Sequence, residues 1–269
     1  MDGYGYTSYD DSSYGDVMYQ SAQTFTVDDC REDLERIKNY FQNKDYHENA
    51  MTAFFTNWRK MPDGVAEDAD AFFIDEDIAV TDLPEWMRAQ PYGLVKRNTI
   101  TMSGRCCLPV KTAKGKIAGF LGWDPTTTPK YLDSSNYGYK ATTTLMYGME
   151  NIEEYYFNNK PVFLTEGSMC VLWLRSQGFQ ALSSLGSTLT PYMVEVLSRF
   201  GNRLYAVPDN DAAGFAFKKS IKYKLPLANI IMVKEGKDID GCRGEHSDEL
   251  LEDLNNITNL LYRPKILIR

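Results

Sequence analysis

The sequence predicts a parallel-sheet α/β domain in its C-terminal part, preceded by a mixed α+β segment. Three observations carry this reading. From residue 160 onward, short apolar runs alternate with stretches of helical spacing. At 106–110 and 117–123, two apolar runs flank a polar, Gly-containing connection. Residues 27–60 space their apolar side chains at helical intervals. The 269 residues suffice for two modest domains, each with its own core.

Residues 1–24 are rich in Tyr, Ser, Gly and Asp and read as a flexible tail. Residues 25–90 read as a helical N-terminal segment. Leu34, Ile37, Tyr40 and Phe41 mark one helix, and Phe54, Phe55 and Trp58 a second that Pro62-Asp63-Gly64 stops. Residues 65–90 look acidic and irregular, with a short helix at 83–89. Residues 91–158 form a basic subdomain. Within it, Cys106–Val110 and Ile117–Trp123 read as a β-hairpin, and 124–148 as loop. Residues 159–245 give β-α-β-α-β-α-β: strands at 161–165, 179–185, 203–207 and 230–233, and helices at 168–177, 190–200 and 212–224. Thr190 is placed to cap the second helix, with Pro191 in its first turn. Such alternation makes a parallel sheet with helices on its faces. Residues 246–269 read as a final helix and tail.

The composition narrows the function classes. No apolar run approaches the length that spans a bilayer, and no secretory pattern opens the chain. The expectation is a cytoplasmic protein with no membrane partner. The five cysteines are scattered without a CxxC pair, and the two histidines lie far apart. A disulfide framework and a zinc site are therefore not expected. The net charge of -8 opposes nucleic-acid binding in general. The charge is uneven, however. Between 96 and 140 stand Lys96, Arg97, Arg105, Lys111, Lys114, Lys116, Lys130 and Lys140, against only Asp124 and Asp133.

Functional residues of a parallel sheet gather just past the C-terminal ends of its strands. Here three strands run into acids: Glu166-Gly167, then Pro208-Asp209-Asn210-Asp211, then Glu235-Gly236-Lys237-Asp238-Ile239-Asp240. Glu166, Asp209, Asp211, Asp238 and Asp240 can converge on one rim. Hard divalent cations prefer such oxygen donors, and carboxylates around Mg2+ suit nucleotidyl or phosphodiester chemistry. Gly167 and Gly214 would let the backbone turn tightly beside that rim. A lone Asp-x-Asp or Glu-Gly is commonly a solvated turn, so the weight rests on three such pieces following strands of one sheet. Rim ligands face solvent, so Asp209→Ala and Asp211→Ala are expected to abolish catalysis with the fold intact.

The strings Val162-Phe163-Leu164-Thr165-Glu166-Gly167, Leu185-Gly186-Ser187-Thr188-Leu189-Thr190 and Pro208-Asp209-Asn210-Asp211-Ala212-Ala213-Gly214 resemble the Toprim domain of bacterial-type (DnaG-like) DNA primases. Upstream, Gly104-Arg105-Cys106-Cys107-Leu108-Pro109-Val110 and Pro129-Lys130-Tyr131-Leu132-Asp133-Ser134 resemble the basic subdomain that precedes Toprim in that family. The resemblance covers roughly 90–245. It implies a nucleotidyltransferase that makes short RNA primers on a single-stranded DNA template from ribonucleoside triphosphates, with Mg2+ or Mn2+. Glu166, Asp209 and Asp211 would be catalytic. These three with Asp238 and Asp240 would hold metal. Arg105, Lys130 and Lys140 would bind nucleotide or template.

Three positions depart from the family pattern. Cys170 stands where the family has Asp, Trp123 where many members have Arg, and Asp133 where many have Asn. No zinc ribbon or phosphate loop accompanies the core. The resemblance therefore implies that a replicative helicase or a separate zinc-containing template-recognition subunit supplies those tasks, or that the chain is a divergent, bacteriophage-encoded primase working in the host cytoplasm. The competing readings are a Toprim nuclease, which has no need of the basic hairpin, and an impaired nucleic-acid-binding accessory subunit, which Cys170 favours.

Overall fold

The computed structural model describes residues 27–88, 94–96, 98–134, 145–233 and 247–262, with side chains from 32 to 259. The tail at 1–24, Lys140, Asp238 and Asp240 lie outside the described residues. Among those described, no helix is long and apolar enough to cross a membrane.

The chain opens with helix α1 (Val27–Gln42), then α2 (His47–Met51), which continues into a π-helical turn, Thr52–Trp58. Short α3 (Val65–Asp68), strand β1 (Phe72–Ile74), α4 (Glu85–Arg88) and the ribbon β2 (Val95–Lys96) and β3 (Thr99–Ile100) follow. The hairpin β4 (Arg105–Lys111) and β5 (Ile117–Trp123) forms as the sequence predicts, and β6 is Tyr131–Asp133. These strands make an antiparallel sheet in the order β1-β4-β5-β6.

After α5 (Ile152–Phe157) come β7 (Val162–Thr165), α6 (Ser168–Ser176), β8 (Gln180–Ser183), α7 (Pro191–Ser198), β9 (Leu204–Ala206), α8 (Ala212–Lys224), β10 (Asn229–Ile230) and α9 (Ser247–Tyr262). The second sheet is parallel, in the order β10-β9-β7-β8. Thr190 caps α7 as predicted, its Oγ1 accepting from Met193 N–H at 3.2 Å.

The two-residue ribbon β2–β3 and two longer strands escape the sequence reading. β1 lies in the stretch read as irregular, because Phe72-Phe73-Ile74 is too short to show a period. It pairs with β4, Phe73 opposite Cys106. β6 lies in the stretch read as loop and pairs with β5, Leu132 opposite Gly122. The last strand is shorter than predicted, since only Asn229 and Ile230 pair with β9.

Alternation along the strands sorts the core into layers. Cys106, Leu108 and Val110 of β4 turn toward the parallel sheet, in one cluster with Phe163 of β7 and Val171 and Trp173 of α6. Cys107 turns the other way and packs with Leu34, Ile37 and Phe41 of α1. Val162 and Leu164 face a third cluster built on α7 and α8. Phe163 is fully buried, and burial of such a side chain contributes about 1.5–3 kcal/mol.

A half-buried ion cluster fastens α1 to the antiparallel sheet. Asp70 accepts from Lys38 Nζ at 2.6 Å and pairs with Lys111 Nζ at 2.9 Å, while Gln42 Nε2 donates to its second oxygen at 3.3 Å. Burial opposes the charge on Asp70, and the two ammonium groups outweigh it, so its carboxyl sits below the usual carboxylate range. A depressed carboxyl contributes stability above its unfolded-state pKa and loses it as pH falls through the folded value. Asp70→Asn should therefore lower unfolding free energy by about 1–3 kcal/mol near neutrality. Urea titrations across pH should show the gap to wild type closing in acid.

Candidate active site

Pairing places the ends of β7 and β9 side by side. Leu164 lies opposite Ala206, and Val207 N–H donates to Leu164 O at 2.8 Å. Two residues beyond Leu164 stands Glu166, and three beyond Ala206 stands Asp209. Glu166 Oε1 accepts from Asp209 N–H at 3.1 Å, so the first acidic element holds the backbone of the second.

Glu166 is itself anchored from the β8 side. Its carbonyl accepts from Ser183 Oγ at 2.8 Å and from Gly186 N–H at 3.0 Å. The turn that delivers Gly186 is unusual. Leu185 has φ +55 and Gly186 φ +139, both in the region L side chains avoid. Ser183 Oγ also accepts from Leu185 N–H at 3.0 Å, and Ser184 Oγ donates to Gly186 O at 2.6 Å. Leu185 thus keeps a conformation costing of order 1–3 kcal/mol because its neighbours hold it there.

Asp209 is fixed from below by α8. A Cβ on Gly214 would fall 1.8 Å from Asp209 O, so only Gly allows this approach. The predicted role of Gly214 beside the rim has this physical content. Gly167, at φ -109, needs no such freedom, and a Cβ there would meet Tyr131 Oη at an ordinary 3.7 Å.

Asp211, past the end of β9 as expected, carries a further task. It is the N-cap of α8, its Oδ1 accepting from Gly214 N–H at 3.0 Å. One carboxylate oxygen therefore serves the helix, so Asp211→Ala would remove a cap as well as an oxygen donor at the rim.

Glu166 and Asp209 line a cleft of about 370 Å³ between the two sheets. From the antiparallel side Lys130, Tyr131, Asp133, Trp123 and Arg59 line it, and Cys170 closes it at α6. Lys130 is exposed at the cleft, as a phosphate ligand would be. Arg105 is not at the cleft surface. It is 6% exposed, and its guanidinium donates to Lys130 O at 2.9 Å, Thr127 Oγ1 at 2.7 Å and Pro129 O at 3.2 Å. The structure gives it the task of holding the loop that presents Lys130. Among the described residues, no three His, Cys, Asp or Glu side chains are grouped to hold a metal.

Sequence reasoning missed Arg59 and gave Asp133 and Trp123 no place in a cleft. Arg59 reaches Trp123 across 64 positions, its guanidinium 4.6 Å from the ring centroid, and no local pattern signals such a contact. Asp133 and Trp123 were noted as departures from a family pattern, which is the signal that could have placed them here.

Residues 163–242 match a family model described as Toprim-like. The DNA primase of Aquifex aeolicus (strain VF5) is 28% identical over 172 residues, which cover 60% of this chain and 34% of that protein. Among solved structures, the zinc-binding and RNA polymerase domains of the Aquifex aeolicus primase superpose with a TM-score of 0.71 at 21% identity, covering 88% of this chain and 63% of that one. The chain has the fold of a DnaG-like primase catalytic core. A DnaG primase catalytic domain bound to single-stranded DNA shares this primase-core fold, with a TM-score of 0.66 at 20% identity over 83% of this chain and 77% of that one. The stretch matched in the curated primases spans no more than about a third of their length.

In this fold, Asp211→Ala should lower stability by about 0.5–2 kcal/mol through loss of the cap. Gly214→Ala should cost about 1–3 kcal/mol through overpacking against Asp209. Thermal melts of the two variants check both, and an unchanged Gly214→Ala melting temperature would contradict the close contact.

Proposed function

We propose that the chain is the polymerising core of a DNA primase, joining ribonucleotides into short RNA primers on single-stranded DNA. The observation that carries this reading is the clasp of Glu166 on the Asp209 backbone, in a cleft that also exposes Lys130. Curated relatives named DNA primase, and a fold neighbour solved with single-stranded DNA, support it.

Glu166 and Asp209 offer hard oxygen donors in one cleft, which fits a divalent cation such as Mg2+ or Mn2+. Asp238 and Asp240, which follow β10 in the chain next to β9, complete the proposed ligand set. Asp211 contributes whatever its capping role leaves. When bound, the cation supplies charge neutralisation at the phosphate oxygens of the incoming nucleotide. The chain's own residues position the reactants. Lys130 takes a phosphate oxygen as a point charge, and Lys140, from the same basic segment of the sequence, is proposed to do likewise. Arg105 steadies the loop of Lys130 rather than touching substrate. Asp209 is kept at its station by Glu166 and Gly214.

In this reading residues 91–158 guide nucleotide and template, and 159–245 carry the chemistry. The enzyme works in the cytoplasm, of the host if it is viral. A replicative helicase or a zinc-containing subunit brings it to its template.

The test is incubation with single-stranded DNA, labelled ribonucleotides and Mg2+ or Mn2+, with products sized on a gel. Wild type should give short RNA. Asp209→Ala should reduce the yield by roughly a hundredfold or more, as loss of a direct metal ligand does. Undiminished synthesis by Asp209→Ala at limiting metal would refute the assignment.

A further inference from the structure

The N-terminal aromatics, which mark the two helices in the sequence, separate cleanly in the structure. Phe41, Phe54 and Phe55 are buried, whereas Trp58 is 50% exposed. Trp58 ends the π-helical turn, in which Arg59 N–H donates to Phe54 O at 3.0 Å, five residues back. Such turns are rare and concentrate at functional sites. This one brings Phe54, Trp58 and Arg59 around a single ring, that of Trp123. Trp58 lies 5.1 Å from it between centroids, Phe54 packs edge-on at 4.8 Å, and the Arg59 guanidinium covers it at 4.6 Å. Trp123 and Arg59 both line the cleft with Glu166 and Asp209, and Trp58 packs on the Trp123 ring. Lys60, also exposed, follows directly.

We infer that Trp58 is a stacking shelf for an unpaired base of the single strand as it leaves the cleft. An exposed indole costs solubility, and a base is a planar apolar face that would cover it. Adjacent Arg59 and Lys60 supply cations for the strand's phosphates. A chain of net charge -8 has few phosphate contacts to offer, so stacking has to carry much of its affinity. Trp58 is off the cleft lining that holds the carboxylates, which favours a strand passing out over the reacting nucleotide itself. The inference rests on the primase reading for its ligand, yet binding can be measured without polymerisation, so the two can fail separately.

The test is fluorescence anisotropy of the full chain with a labelled oligodeoxythymidylate, a matching abasic strand, and ATP with Mg2+. The variants are Trp58→Ala, Trp58→Met, which keeps apolar volume without a ring, and Trp58→Phe. Circular dichroism establishes which are folded. Affinity for the thymidylate strand should fall roughly five- to twentyfold in the Ala and Met variants and stay within about threefold in Phe, as base–aromatic stacking requires. The abasic strand should bind all variants alike. Wild-type affinity in a folded Met or Ala variant would overturn the inference, as would an equal loss on the abasic strand. Loss confined to ATP would also overturn it, by assigning Trp58 to the incoming nucleotide.

Discussion

The hydrogen bond from Asp209 N–H to Glu166 Oε1, 3.1 Å long, ties together the ends of two neighbouring strands. A carboxylate oxygen accepting from a backbone amide makes a stronger bond than a neutral pair. This one crosses from the β7 side of the rim to the β9 side. It adds to the contact with Gly214, which holds Asp209 from the helix side. With it, Glu166 and Asp209 share one geometry, and the acidic wall of the cleft is built before any ligand arrives. Such preorganisation is what a charged-phosphate reaction needs, because no reorganisation remains to be done as charge develops.

The support behind Glu166 is of the same kind. Ser183 and Ser184 are buried and spend their hydroxyls on the Leu185-Gly186 turn and on the Glu166 carbonyl. On the opposite wall Arg105 plays the matching part, bonding three oxygens of the loop that ends in Lys130. Positive charge in the basic segment is thus partly consumed in construction. Arg105 holds a loop, and Lys111 is paired with Asp70. Of the cations expected at the nucleotide, Lys130 is the described one that faces the cleft.

The parallel sheet, its three crossover helices and the hairpin were legible because each apolar run is bounded by Gly, Pro or charged residues and has a length suited to one element type. β7 is a case in point, four buried residues ending at Glu166-Gly167. β1 and β6 were not legible. Their pairing is dictated by β4 and β5, and three residues carry no period of their own. At the site, Glu166 and Asp209 were found from strand ends alone, since the rule depends on topology and not on side-chain contacts. The capping bond of Asp211 and the loop bonds of Arg105 were not legible for a shared reason. A motif names the residue type a position needs, but an N-cap and a buried guanidinium are fixed by neighbours 3 to 25 positions away whose placement only the fold decides.

One apolar cluster joins β4 and β5 to β7 and α6, and Leu250 and Leu254 of α9 enter it from the far end of the chain. The division at 158–159 is therefore a division of topology and not of folding energy. Separating the two sheets would bare Leu108, Val110, Phe163 and Trp173 together, side chains that are buried now. The halves share this one core, and the final helix contributes to it as the hairpin does. The cleft floor is a fused seam, and the walls above it keep their spacing because the seam does not open.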